Sequence, residues 1–271
     1  MRNDFWAIVW RVFKDRWVQL VVYSGISFFL VWMYVALFPT IRDQAEQLKV
    51  LLETYPESFT EAFNVDEAFL DTIGGFLSAE QYSFIWPVFA IVIASSLGGA
   101  AIAGEVEKGT IEVLLAQPIS RLKLYFAKYF SGIVILAIFT FVSVYSIVPL
   151  AAIHDIDYEL VNFSNFFVMA LLFALSTYSI AMFFSSIFSQ KGRVYFVTAG
   201  IIILMYVANI VSALKDNLAD LKYASYFHYF DSSQVLVHNN VDNLAYWIFI
   251  GSIVIFTAAG ALIFNRRDIA T

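Results

Sequence analysis

Cysteine is absent, and only 14% of the 271 residues are charged. With no Cys there is no disulfide framework, no thiolate metal site and no Cys nucleophile. A soluble domain carries about 25% charged residues, so an ordinary cytosolic enzyme, a nucleic-acid binder, a coiled coil and a disordered chain are all excluded. Catalytic signatures are missing as well. There is no His-Glu-x-x-His, no Gly-x-Ser-x-Gly and no Thr-Val-Gly-Tyr-Gly. The segment Gly104 to Thr110 has the glycine spacing of a phosphate-binding loop, but it has no Lys after the second Gly and puts Glu105 and Glu107 where phosphate would sit. What is present is hydrophobic: 61% apolar residues, 18% aromatic ones and a mean hydropathy of +0.75. That composition is that of an integral membrane protein, with aromatics suited to lipid-facing surfaces and interfacial belts.

Runs free of charge locate the spans, since a helix crossing about 30 Å of hydrocarbon needs about 20 apolar residues. Six runs qualify: Trp17–Phe38, Tyr82–Ala103, Tyr129–Ala152, Phe166–Phe188, Val194–Leu214 and Leu244–Phe264. The side bearing the N-terminus carries 12 basic and 6 acidic residues, the opposite side 4 basic and 16 acidic ones. Net charges of +6 and −12 place both termini in the cytoplasm by the positive-inside rule. Every Asp, Glu, Lys and Arg falls outside the spans on this reading, which argues against a proton- or sodium-coupled carrier.

Residues 1–16 read as an interfacial amphipathic helix ahead of the six-span domain 17–271, because Phe5, Trp6, Ile8, Val9, Trp10, Val12 and Phe13 leave the polar positions one narrow face. The outer loop 39–81 carries 9 acidic and 2 basic residues and is too long for a plain connector. Ile41, Ala45, Leu48, Leu52 and Tyr55 recur at helical spacing, and Asn64 with Glu67 resembles a capping pair ahead of a second helix through Phe69, Ile73 and Phe76. The expected fold is an all-α integral membrane protein of six transmembrane helices, with this N-terminal helix and a partly helical outer loop. A second outer loop spans 215–243, and the cytoplasmic loop spans 104–128.

That cytoplasmic loop is the only sizeable one. Gly109 or Thr110 can start a short helix, Pro118 stops it, and Ile111, Leu114 and Leu115 share one face. Ser120 can cap the helix that becomes the third span. The run Glu-Val-Glu-Lys-Gly-Thr-Ile-Glu-Val-Leu-Leu-Ala-Gln-Pro-Ile-Ser-Arg, residues 105–121, resembles the signature loop of the type-2 ATP-binding-cassette (ABC) exporter permeases. Leu221 to Asp231 resembles that family's aromatic segment between the last two spans, and Phe264 to Asp268 its C-terminal ending. The resemblance covers essentially the whole chain.

It implies a membrane permease without an ATPase motif of its own. ATP and Mg would be bound by a separate ABC ATPase subunit, in two copies, beside a second permease, identical or homologous, in the plasma (cytoplasmic) membrane of a bacterium. It also implies coupling to the ATPase through Glu105, Glu107, Lys108, Gly109, Thr110, Glu112 and Arg121. Arg121 can pair with Glu105 or anchor to lipid headgroups. Phe28, Trp32, Tyr206 and Asn209 are candidates for a substrate path. The uncharged interior suits export of an amphipathic or hydrophobic cargo such as a peptide, a drug-like compound or a lipid. The alternatives are a non-transporting scaffold or assembly factor, or an ion-coupled carrier. The small-residue run Ser95–Ala101 points to close helix packing.

Overall fold

The computed structural model describes residues 3–44 and 70–268, and no strand occurs among them. The first helix, α1 (Asn3–Arg42), is continuous. No Gly or Pro occurs between Asn3 and Ser24, so nothing ends a helix there. No break marks residue 17: residues 3–16 and the first span share one helix. At 1.5 Å per residue α1 is about 60 Å long, about twice the hydrocarbon thickness. Its early turns lie beside the third span, with the Phe5 and Trp6 rings 6.1 and 5.8 Å from that of Phe130.

The second crossing is bent rather than straight. Thr72 caps α2 (Ile73–Leu77) by accepting the Gly75 N–H at 3.0 Å, and a π turn follows at Ser78–Tyr82. The chain then breaks at Phe84 and enters α3 (Ile85–Ala101), with 47° between the two parts. The suggested Asn64 cap and the helix through Leu48 and Leu52 lie outside the described residues.

Beyond the loop 104–120, α6 runs from Arg121 to Tyr145 and α7 from Ile147 to His154. This helix starts eight residues before the expected span because Ser120 caps it, accepting the Lys123 N–H at 3.3 Å. Then come α8 (Leu160–Ile187), α9 (Lys191–Leu214) and α12 (Asn243–Arg266). Between the last two lie a 3-10 helix (Asp216–Ala224), α10 (Tyr226–Tyr229) and α11 (Ser232–Leu236). Among the described residues five helices are long and apolar enough to cross a membrane, and the number is six if the bent pair counts as one crossing.

The centre of the bundle is α8, which packs on α3, α6, α9 and α12. Its most apolar stretch is 67% buried, against 28% for α1, 17% for α9 and 22% for α12. Those three helices therefore offer apolar faces to lipid or to another subunit. Gly98 permits the approach of α3 to α8: a Cβ there would lie 2.4 Å from that of Ala181. At the end opposite the chain termini α10 and α11 fold back into the bundle. The Phe230 ring stacks on Trp86 at 5.8 Å and lies 4.7 Å from Phe173. Ser232 and Ser78 share a hydrogen bond of 2.7 Å, and Asn162 donates to the Leu236 carbonyl at 3.0 Å. A large share of the aromatics thus forms an internal seal rather than a lipid-facing surface.

Candidate functional site

The loop 104–128, expected to be cytoplasmic, is built from two short helices joined by a left-handed turn. The α3 helix ends because Ile102 leaves helical geometry (φ −120°, ψ −56°), and α4 (Ala103–Glu107) starts at once. The backbone N–H groups of Ile102 and Ala103 donate to the Ser185 hydroxyl at 3.2 and 2.9 Å, so a side chain of α8 satisfies the break. The C-terminus of α4 is closed in the Schellman pattern. Gly109 N–H donates to the Val106 carbonyl and Thr110 N–H to that of Glu105, both at 3.0 Å. Gly109 sits at φ +69°, a conformation other L-residues adopt only with strain. Next, α5 (Ile111–Leu115) buries Ile111 and Leu114 and leaves Glu112 and Val113 exposed.

Three ties connect this lever to the spans. Lys128 donates to a Glu105 oxygen at 2.6 Å, with side-chain exposures of 5% and 22%. Thr110 Oγ1 donates to the other oxygen. Burial pushes the Glu105 carboxyl up, but the adjacent Lys128 charge and the hydrogen bonds from Lys128 and Thr110 outweigh it and hold the group below its ordinary value. The second tie is Glu107, which accepts the Lys191 N–H at 3.0 Å and so places negative charge at the start of α9. The third is Ser185, on α8.

Arg121 does not pair with Glu105. Its guanidinium donates to the carbonyls of Phe264, at 3.5 Å, and Arg267. Arg267 in turn donates to the carbonyls of Ser186 and Phe188 at 3.1 and 3.0 Å and to the Ser189 hydroxyl at 2.6 Å. Two arginines thus bind together the ends of α6, α8 and α12 that lie on the side of the loop 104–128. Lys108 and Glu112 project from the lever without burial.

The sequence reading missed Lys128, Ser185 and Arg267. Lys128 directly precedes the charge-free run Tyr129–Ala152. Seven residues past Arg121 it is already inside the bundle, and a buried ammonium requires a carboxylate partner. Val113, apolar and exposed on the lever, was missed as well. Among the described residues no group of three or more His, Asp or Glu is placed to hold a metal.

Of the four candidates for a substrate path, Phe28 and Trp32 are exposed on α1, whereas Tyr206 and Asn209 are half-buried on α9. Direct packing does not join the two pairs. Both helices flank α3: Tyr23 of α1 meets Phe89 at 6.1 Å, and Tyr206 meets Phe84 at 5.4 Å. The Asn209 carbonyl accepts the Ser212 hydroxyl at 2.6 Å.

These features are those of a polytopic helical membrane protein with a braced loop between its second and third spans. The family model described as ABC-2 family transporter protein matches residues 6–269, and the chain belongs to that family. It is a membrane subunit of an ABC transporter, whose partner is an ABC ATPase subunit. No curated protein matches the chain.

Proposed function

We propose that this chain is the permease of an ATP-driven exporter in the bacterial cytoplasmic membrane, with both termini in the cytoplasm. Two permeases, identical or homologous, and two ATPase subunits form the working unit, and ATP and Mg are bound by the ATPases. The observation that carries this reading is the bracing of the lever. A push on α4 and α5 is resisted by α6 through Glu105–Lys128, by α8 through Ser185 and by α9 through Glu107. A closing ATPase pair that meets Lys108, Glu112 and Val113 would move three spans at once. A nucleotide-driven shift needs such contacts to differ between two states.

Cargo passes between the permeases, along the apolar faces that α1 and α9 present on either side of α3. The aromatic lining, with Phe28, Trp32 and Tyr206, suits an amphipathic or hydrophobic molecule: a peptide, a drug-like compound or a lipid. The test uses vesicles containing the permease and its co-purifying ATPase, loaded with a hydrophobic fluorescent peptide. Transport should require ATP and persist with a protonophore. Transport that continues without ATP and collapses with the protonophore would refute the reading. Failure of any ATPase to co-purify would favour a scaffold.

A further inference from the structure

A cleft of about 510 Å³ opens at the cytoplasmic end between α1, α3, α6 and α9. That volume lies within the range of about 300–1,000 Å³ usual for small-molecule sites. Its charged lining is Asp15, Arg16, Glu105, Lys108, Lys128 and Lys191. The charges do not cancel. Glu105 and Lys128 neutralise each other, and Asp15 lies 3.9 Å from Arg11. Arg16 donates only to the neutral Gln19 amide, at 3.2 Å. Among the described residues Arg16, Lys108 and Lys191 have no carboxylate partner. Glu107 has one oxygen on the Lys191 backbone N–H, not on its ammonium.

The level of the cleft matters as much as its charge. Arg16 directly precedes Trp17, an exposed aromatic of the interfacial type. From there Val18, Val21 and Val22 continue as an exposed apolar strip along α1 toward the membrane interior. A cationic recess at headgroup depth thus adjoins a surface suited to acyl chains.

We propose that this cleft binds a phosphate-bearing anion, with the headgroup of an anionic phospholipid of the cytoplasmic leaflet as its natural occupant. The inference goes beyond the exporter reading and stands on charge and shape, so its test reads binding rather than transport. The full chain, extracted with its bound ATPase from vesicles of phosphatidylcholine and phosphatidylglycerol, is examined by native mass spectrometry for retained lipid. Phosphatidylglycerol should be retained in preference to phosphatidylcholine. Arg16→Gln, Lys108→Gln and Lys191→Gln should each lower that retention by about fivefold, the worth of one basic residue at a membrane surface. Lys14→Gln and Arg193→Gln, which remove exposed charges outside the cleft, should leave it unchanged. Lys108 is exposed, so its variant reports on binding without a folding penalty. Added inorganic phosphate separates the sources: displacement of the lipid by phosphate supports a soluble phosphate ligand at the same site, and no displacement supports the lipid. Equal retention of the two lipids, or equal losses from cleft and control variants, would overturn the proposal.

Discussion

Removing the Glu105 carboxylate strands the Lys128 ammonium, and the cost can be worked from the geometry. At 2.6 Å and an effective dielectric of about 20, the gross attraction is about 6 kcal/mol. Most of that offsets desolvation, and breaking a buried pair from one side typically costs about 3–5 kcal/mol. Glu105 keeps 22% exposure, which puts Glu105→Ala at the lower end, about 3 kcal/mol. Lys128→Met should cost less, because the remaining carboxylate can hydrate and keeps Thr110. The double variant Glu105→Gln/Lys128→Met should recover most of the loss, since no charge is then left unpaired. The assay is unfolding by SDS titration in mixed micelles for all four proteins, with ATPase rate and transport measured alongside. Glu105→Ala should retain ATP hydrolysis while transport falls, because the lever loses its tie to α6. The carboxyl lies below its ordinary value of 4.5, so the stabilisation is full at neutral pH and is lost only as pH falls through that lowered value. Strictly additive single-variant effects would show that the two groups do not hold each other, and the bracing argument would fail with them.

Four other outcomes are expected. Tags at residues 60 and 240 should be reached from outside intact cells while tags at 115, 191 and the C-terminus stay protected, as the charge asymmetry requires; labelling at 115 from outside would invert the topology. Gly109→Val should lower transport without loss of membrane insertion, because φ +69° disfavours a β-branched residue; comparing expression with transport checks this. The His228 imidazole is held below its ordinary value of 6.5 by burial and then by Lys222, against Asp231 and Asp242, so its contribution to stability is full above 6.5 and declines as pH falls from there through the lowered value. Thermal midpoints across that range should show the decline, and His228→Gln should flatten it. Gln81 is fully buried with neither amide atom bonded among the described residues, so Gln81→Leu should raise thermal stability, by about 1–3 kcal/mol per group relieved; a lower melting temperature would contradict that.

Legibility in the sequence followed the range of each interaction. The spans were visible because hydropathy is a local sum, and the lever was visible because Gly109, Ile111 and Pro118 punctuate it within one short window. The capping of α6 by Ser120 was equally local. Partners across the bundle were not legible. Arg121 chooses carbonyls 143 and 146 residues away, and Lys128 finds Glu105 only because α4 folds back beside α6. The bend in the second crossing also escaped, because a π turn leaves no period in the hydrophobic pattern. The continuity of α1 escaped for the opposite reason: an amphipathic start and a helical extension share one sequence, and only packing on Phe130 separates them.

The two ends of the bundle differ in how they are held, and that difference bears on how the protein can move. The end that bears the loop 104–128 is tied by charged and backbone hydrogen bonds to α6, α8 and α9. The opposite end is closed by stacked rings, by the Ser78–Ser232 contact and by Asn162 on the Leu236 carbonyl, with a buried Gln81 amide that has no partner among the described residues. Dispersion contacts between rings are individually weak, and a buried unpaired group carries a free-energy cost that opening relieves. On the exporter reading proposed above, a displacement applied at the loop is expected to meet less resistance at α2, α10 and α11. Stiffness for coupling and weakness for opening would then lie at opposite ends of the same spans, α3 and α8.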